Sequence, residues 1–424
     1  MTSPAPPSPL RSWGTLGLLA LGYIAIYLCR KNLAVAIPLL QEGFHVKKEA
    51  VGWIASAGTL AYAIGKVLNG PIIDRIGGRF AFLLAMAGVA LFGGASAVAP
   101  GLGVIGALYA GNRFAGAAGW GAMLKLVPGW FERSRAATAI AILSLSYVAG
   151  GAIATLVARG ILSAGGGYRV VLAGPALVVA AVAVLVSVTV RTGPFARAEA
   201  AKAPDAPKSE HRFSWAALGE LVRRRDFLVA CGLSFAITLI REAFNTWSVD
   251  FLTEIHGGTK ALELAAVQSI GFDVAGAAGI VLMGAAYGKL APPHRRWLLA
   301  ASLVLLAAVL LVLPRLGRGH ALFAAEMLAA IGFLVYGPYS LLSGVMALDT
   351  GGPRLVATAA GLVDGAGYLA SALAGGVLGR LLDIGGYSLG FGSLAVTAIA
   401  AAFLSLFFGR PETPSPALPE STPA

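Results

Sequence analysis

Six basic residues stand where basic residues are expensive. Arg30 and Lys31 are adjacent inside the apolar stretch YLCRKNLAVAIP (27–38), and Lys66, Arg113, Lys125 and Arg241 interrupt other apolar runs. Four acids lie well inside such runs: Glu242, Asp273, Glu326 and Asp364. A charge at the centre of a hydrocarbon layer costs about 2.5–3.5 kcal/mol on insertion scales, so it faces a wet cavity or a partner. Pairing with the acids absorbs some of these cations and leaves a surplus. Guanidinium groups bind phosphate bidentately, and an ammonium adds a point charge. A phosphate monoester carries about −1.5 to −2 at neutral pH. Two arginines with a lysine beside them therefore suit a bound dianion. Nothing points to catalysis: no Ser or His falls in a nucleophile arrangement, and GAAYGK (284–289) lacks P-loop spacing. No enzyme, cofactor or metal is expected. Cys29 and Cys231 sit singly in apolar runs and read as small buried hydrophobes.

Helical spacing groups the polar residues. Tyr23, Tyr27, Arg30 and Ala34 fall on one face at i, i+4, i+7 and i+11. Ser234, Thr238, Arg241, Asn245 and Ser248 form a second stripe, and Thr59, Tyr62, Lys66 and Asn69 a third. Asp364, Tyr368 and Ser371 form a fourth. Such stripes opposite apolar faces predict helices that line a wet path; hydrogen bonding between helices is the alternative. The small-residue runs FAGAAGWGAM (114–123) and ALAGGVLG (372–379) predict close helix packing.

The elements that must position these residues are apolar helices. The 424-residue chain is 57% hydrophobic and 12% charged, against about 25% charged in soluble domains. About 20 apolar residues cross some 30 Å of hydrocarbon. Twelve such segments are predicted near 13–39, 50–71, 79–98, 102–128, 136–160, 168–190, 226–253, 262–289, 296–314, 320–347, 354–382 and 386–408. Arg30 and Lys31 inside the first argue against a cleaved signal. Residues 1–12 and 410–424, rich in Pro, read as disordered tails. The polar stretch 191–225 divides the spans into bundles at 13–190 and 226–409. With both termini cytoplasmic, eighteen of the 32 Lys and Arg fall in inside segments, eight outside and six within spans. The net charge of +12 thus records orientation by the positive-inside rule, and no nucleic acid is expected as a partner. RKNLAVAIPLLQE (30–42) and REAFNTWSVDFLTE (241–254) echo one another, and Gly70 and Gly284 recur at a similar offset. One unit used twice places a binding site near the midplane, between the halves.

Four stretches carry a resemblance. GYIAIYLCRKNLAVAIP (22–38), GKVLNGPIIDRIGGR (65–79), FLVYGPYSLLSGVMALD (333–349) and ATAAGLVDGAGYLASALAGGVLG (357–379) resemble the organophosphate:phosphate antiporters of the major facilitator superfamily. The resemblance implies an all-α membrane protein with twelve transmembrane helices in two six-helix, pseudo-symmetric bundles. It implies that Arg30 and Arg241 bind phosphate, that Lys66 assists, and that Tyr23, Tyr27, Tyr336 and Tyr368 line the pocket. Lys31 and Asp273 would pair between helices, and Asp364, with Asp74 and Arg75 of the loop motif, would couple to conformation. The sequence departs from the glycerol-3-phosphate carriers at Ser146, where they have a pocket His, at Trp120-Gly121-Ala122, and at Thr246. The function implied is exchange of glycerol-3-phosphate or a sugar phosphate for inorganic phosphate by alternating access. The carrier would be monomeric, in the lipid bilayer of a bacterial inner membrane. Proton-coupled transport of another organic anion is an alternative, with Asp273 or Asp364 titrating; a membrane sugar-phosphate sensor is another.

Overall fold

The computed structural model describes residues 8–191, 193–195, 219, 221–316, 320–342 and 346–409, and within helices some side chains, including Asp74 and 347–358, lie outside that description. Most of the 191–225 linker and the C-terminal tail are also outside it. The first half contains α1 (Pro9–Phe44), α2 (Lys48–Ile76), α3 (Gly78–Ala95), α4 (Leu102–Gly116), α5 (Ala118–Leu126), α6 (Arg133–Ser163) and α7 (Tyr168–Thr189). The second contains α8 (Arg225–Ile255), α9 (Leu262–Lys289), α10 (Pro292–Leu316), α11 (Ala321–Leu341), α12 (Ala347–Ser371) and α13 (Gly376–Ser405). No strand occurs among the described residues.

Among the described residues, ten helical stretches are long and apolar enough to cross a membrane. The twelve spans read from sequence are recovered where two stretches break. Ala117 separates α4 from α5, so neither piece reaches spanning length alone. Within α13 the helix is interrupted at Gly385 and Gly386, and Gly386 has φ 60°, a left-handed conformation that suits a residue without Cβ. The last stretch, Ala359–Ser405, therefore holds two crossings. One boundary needs correction: α1 begins at Pro9, so residues 9–12 of the predicted tail are helical. Proline at the first helical position forfeits no intrahelical bond, which is why it starts this helix.

The loop motif between α2 and α3 is explained by local geometry. Gly77 has φ 83°, and a Cβ on Gly78 would fall 2.6 Å from the Ala122 carbonyl oxygen. Arg79 donates to the carbonyls of Ser187 and Val190 at 2.7 and 2.6 Å, satisfying orphan acceptors at the end of α7. Arg75 is exposed in the last turn of α2.

Packing repeats between the halves. The pairs α1–α6, α1–α7, α2–α4 and α3–α7 of the first half correspond to α8–α12, α8–α13, α9–α11 and α10–α13 of the second. Between the halves, α1 meets α8, α2 meets α12 and α13, and α6 meets α9. That pattern maps onto itself when the halves are exchanged, as a two-fold repeat requires. The apolar core is not symmetric. One cluster, from Leu16 to Val190, belongs to the first half alone. The other fills the second half and continues into the distal ends of α1 and α2, at Leu33–Leu40 and Val51–Ala55. Among the described residues the halves thus share a core at the end away from the termini.

Candidate functional site

Between the halves lies a narrow cavity of about 60 Å³. Among the described residues its wall carries four cations, Arg30, Lys31, Arg113 and Arg241, and two carboxylates, Glu242 and Asp273. The surplus is two positive charges. Thr59, Tyr109, Tyr147 and Asn245 add polar surface.

Each charge is held differently. Arg30 on α1 donates to the Tyr27 hydroxyl at 3.0 Å and lies over the rings of Tyr27 and Tyr62, at 4.9 and 5.0 Å. Cation–π contact stabilises a guanidinium without neutralising it. Arg241 on α8 bonds the carboxylate of Glu242, its neighbour in sequence, at 2.5 Å and stacks over Tyr339 at 4.0 Å. Lys31 reaches across the halves to Asp273 on α9 at 3.1 Å and to Asn245 Oδ1 on α8 at 2.6 Å. Tyr336 on α11 donates to Asp273 at 2.9 Å, and its ring lies 5.8 Å from the Arg241 guanidinium. The Lys31–Asp273 ion pair and Arg241 are therefore linked through one tyrosine.

The remaining expected site residues stand outside this wall. Lys66 pairs with Asp364 on α12 at 3.6 Å and lies over Tyr368 at 4.8 Å and Tyr62 at 5.7 Å. Tyr23 borders a smaller pocket of about 10 Å³ beside Tyr27, Arg30, Tyr62 and Arg113. Of the five-residue stripe on α8, only Arg241 and Asn245 reach the cavity. Ser234 and Thr238 are buried against Gly367, where a Cβ would fall 2.6 Å from Thr238 Oγ1. That part of the stripe serves close helix approach, the alternative reading. Lys125 donates to the Ile73 carbonyl at 3.2 Å, in the last turn of α2, so its charge complements a helix C-terminus. Ser146 turns back to the Leu143 carbonyl at 2.5 Å, and its neighbour Tyr147 faces the cavity instead. Asp74 lies on α2 with its side chain outside the described set.

Sequence reading missed most of the closed end. Lys48 at the start of α2 bonds Asp250 at 2.5 Å and Glu254 at 3.0 Å, both on α8. Gln41 and Tyr387 complete the shell of Asp250, at 2.7 and 2.6 Å. Asp383 of the second half accepts the backbone N–H groups of Lys48 and Glu49, at 3.1 and 2.8 Å. It caps a helix more than three hundred residues away in sequence, where carboxylates are favoured by the helix dipole. Residues 372–375 leave the helix after α12, and the freed groups find partners. The Ser56 hydroxyl donates to the Ala372 carbonyl at 2.5 Å and accepts the Gly376 N–H at 2.9 Å, while Trp247 Nε1 donates to the Ala374 carbonyl at 2.8 Å. Here Gly52 and Gly375 bring the two backbones into contact.

With that geometry in view, similarity to known proteins narrows the reading. The profile of the Major Facilitator Superfamily matches residues 19–375. The chain is 28% identical over 409 residues to a glycerol-3-phosphate transporter of Bacillus subtilis, covering 91% of this chain and 90% of that protein. It is 26% identical over 406 residues to the hexuronate transporter of Escherichia coli, covering 92% of each. In structure it is similar to a bacterial homologue of the human lysosomal transporter Spinster, inward-facing and unoccupied. The TM-score is 0.76 at 17% identity, covering 95% of this chain and 98% of that one. This last likeness shows the fold.

Proposed function

Because the chain belongs to the Major Facilitator Superfamily, we propose that it is a multi-pass membrane carrier that exchanges a phosphorylated small metabolite, glycerol-3-phosphate or a sugar phosphate, for inorganic phosphate. The observation that carries this reading is the cavity between the halves, with four cations against two carboxylates. Two unneutralised positive charges fit one phosphate dianion. The 28% identity to a glycerol-3-phosphate transporter supports the same class.

In this reading phosphate enters the cavity and takes charge-assisted hydrogen bonds from Arg30 and Arg241, displacing Glu242 from Arg241. The Tyr336 hydroxyl relays the change at Arg241 to Asp273, and so to its partner Lys31. The cross-half pair loosens as the halves rock, and the latch formed by Lys48, Asp250, Ser56 and Asp383 opens at the far end. Closing the site empty would strip water from the unpaired Arg30 and Arg113, and their Coulomb repulsion grows as the effective dielectric falls. Closing around a dianion does not carry that cost. Exchange is the natural mode, one phosphate group leaving as another enters. The basic excess in the segments shared with the termini supports a cytoplasmic placement for both ends, in a bacterial inner membrane, which makes the latched face external. A reporter active only outside the cytoplasm, fused at Pro204, is expected to be silent; activity there reverses the orientation.

The hexuronate relative favours a second reading, carriage of a sugar carboxylate with a proton. Reconstituted vesicles separate the two. Labelled phosphate inside should leave when external glycerol-3-phosphate or phosphate is added, and should stay when glucuronate is added. Efflux driven by glucuronate and not by phosphate overturns the organophosphate reading. Binding without any exchange, in sealed vesicles, marks a sensor instead.

A further inference from the structure

Of the four cations on the cavity wall, Glu242 holds Arg241 and Asp273 holds Lys31. Arg30 and Arg113 have no acid partner among the described residues. Both stand over the same ring: their guanidinium carbons lie 5.0 Å and 4.5 Å from the centre of Tyr62. Arg113 is 5% exposed, and its Nε, like that of Arg241, is buried with no hydrogen-bond partner. A buried charged donor without a partner is costly, and Arg113 lines the same cavity as Arg30 and Arg241, where a bound anion would supply one. The position is built by its neighbours. A Cβ on Gly58 of α2 would fall 3.1 Å from Arg113 Cγ and 2.4 Å from the Tyr109 ring. Only a glycine there lets α4 approach this closely. Tyr109, one turn before Arg113, donates to the Arg30 carbonyl at 3.2 Å and ties the two arginine-bearing helices together at this level.

We propose that Arg113 is a third anion-binding arginine, and that with Arg30 it forms the part of the clamp that engages phosphate first, before Glu242 releases Arg241. This rests on the organophosphate reading above. The surplus of two charges then sits on the first half, on α1 and α4, with both guanidiniums against the ring of Tyr62. The second half contributes its arginine only once the anion has competed away an internal carboxylate. Substrate entry and engagement of the second half become successive events, so an unliganded carrier keeps Arg241 neutralised and its halves free to remain apart.

The test uses the full-length protein in lipid nanodiscs with inorganic phosphate as the probe, read by calorimetric titration and by the phosphate-induced rise in Tm. No binding to the unaltered protein defeats the organophosphate reading itself, and this proposal with it. Given binding there, Arg113→Gln is expected to weaken affinity about thirtyfold, equivalent to about 2 kcal/mol at 1.4 kcal/mol per tenfold. Arg113→Lys, which keeps the charge and loses the fork, should fall between. A residue that merely packs on Tyr62 and Gly58 would lower Tm equally with and without phosphate and leave affinity unchanged; that result overturns the proposal while the exchange function stands. If neither variant folds, a structure of the unaltered carrier with phosphate decides. An anion within about 3.5 Å of an Arg113 nitrogen supports the assignment, and an anion held by Arg30 and Arg241 with Arg113 out of reach overturns it.

Discussion

Gly375→Ala should unlatch the closed end. A Cβ built at Gly375 falls 2.2 Å from the Gly52 carbonyl oxygen and 2.6 Å from Ser56 Oγ, whereas ordinary contact begins at 3.4 Å. Both near atoms belong to α2, one of them rigid backbone, so the relief must come from moving the halves apart by about 1 Å. The Ser56 bonds to Ala372 and Gly376, at 2.5 and 2.9 Å, then stretch beyond hydrogen-bonding range. Two such bonds are worth about 2 kcal/mol net, which shifts the balance between closed and open about thirtyfold. Spin labels at Lys47→Cys and Lys260→Cys, in a background lacking Cys29 and Cys231, report the gap between the halves at that end. The expected result is a longer distance component in Gly375→Ala that is absent from the parent. Gly284→Ala is the control, since its Cβ would meet nothing within 4 Å. If Gly375→Ala gives the parent distribution in lipid, the Gly52–Gly375 contact does not hold this end shut.

Three further outcomes follow from the same geometry. Arg30→Lys and Arg241→Lys keep the charge and lose the bidentate fork, so each should weaken phosphate binding about thirtyfold in equilibrium titration, for about 2 kcal/mol of charge-assisted bonding; near-normal exchange in either, at normal membrane abundance, would sink the phosphate site. Asp273→Asn removes the cross-half pair with Lys31 and the charge that Tyr336 bonds, so turnover should change more than apparent affinity in a vesicle exchange assay, and a pure affinity change argues against a coupling role. A phosphate monoester loses its second proton near pH 6; between pH 7.5 and 5.5 its dianion fraction falls about fourfold, and apparent affinity should weaken by that factor on acidification, whereas a flat profile means the monoanion is carried.

The fold was legible because its terms are local. A span announces itself by about 20 apolar residues, a helix by spacing, and a buried arginine by the cost of its charge. Arg30, Lys31 and Arg241 could be singled out on that ground, and they do line the cavity. Periodicity also says which residues share a face of one helix. It does not say which neighbour that face meets. The five polar residues of α8 look alike in sequence, yet two face the cavity and Ser234 and Thr238 pack on Gly367, because α12 rather than solvent lies against them. Lys66 has a substrate-binding pattern and is paired with Asp364 across the halves. Glu242 could be flagged as a buried acid, but not as the partner of Arg241, since adjacent residues on a helix do not ordinarily face each other. Asp383 capping α2, and Gly52 meeting Gly375, carry no sequence signal at all. Those contacts join segments more than three hundred residues apart, and they exist only because the two halves dock in this orientation. Local chemistry fixed what each helix presents; the docking of the halves decided which of those groups meet, and therefore which charges are left unpaired for an anion.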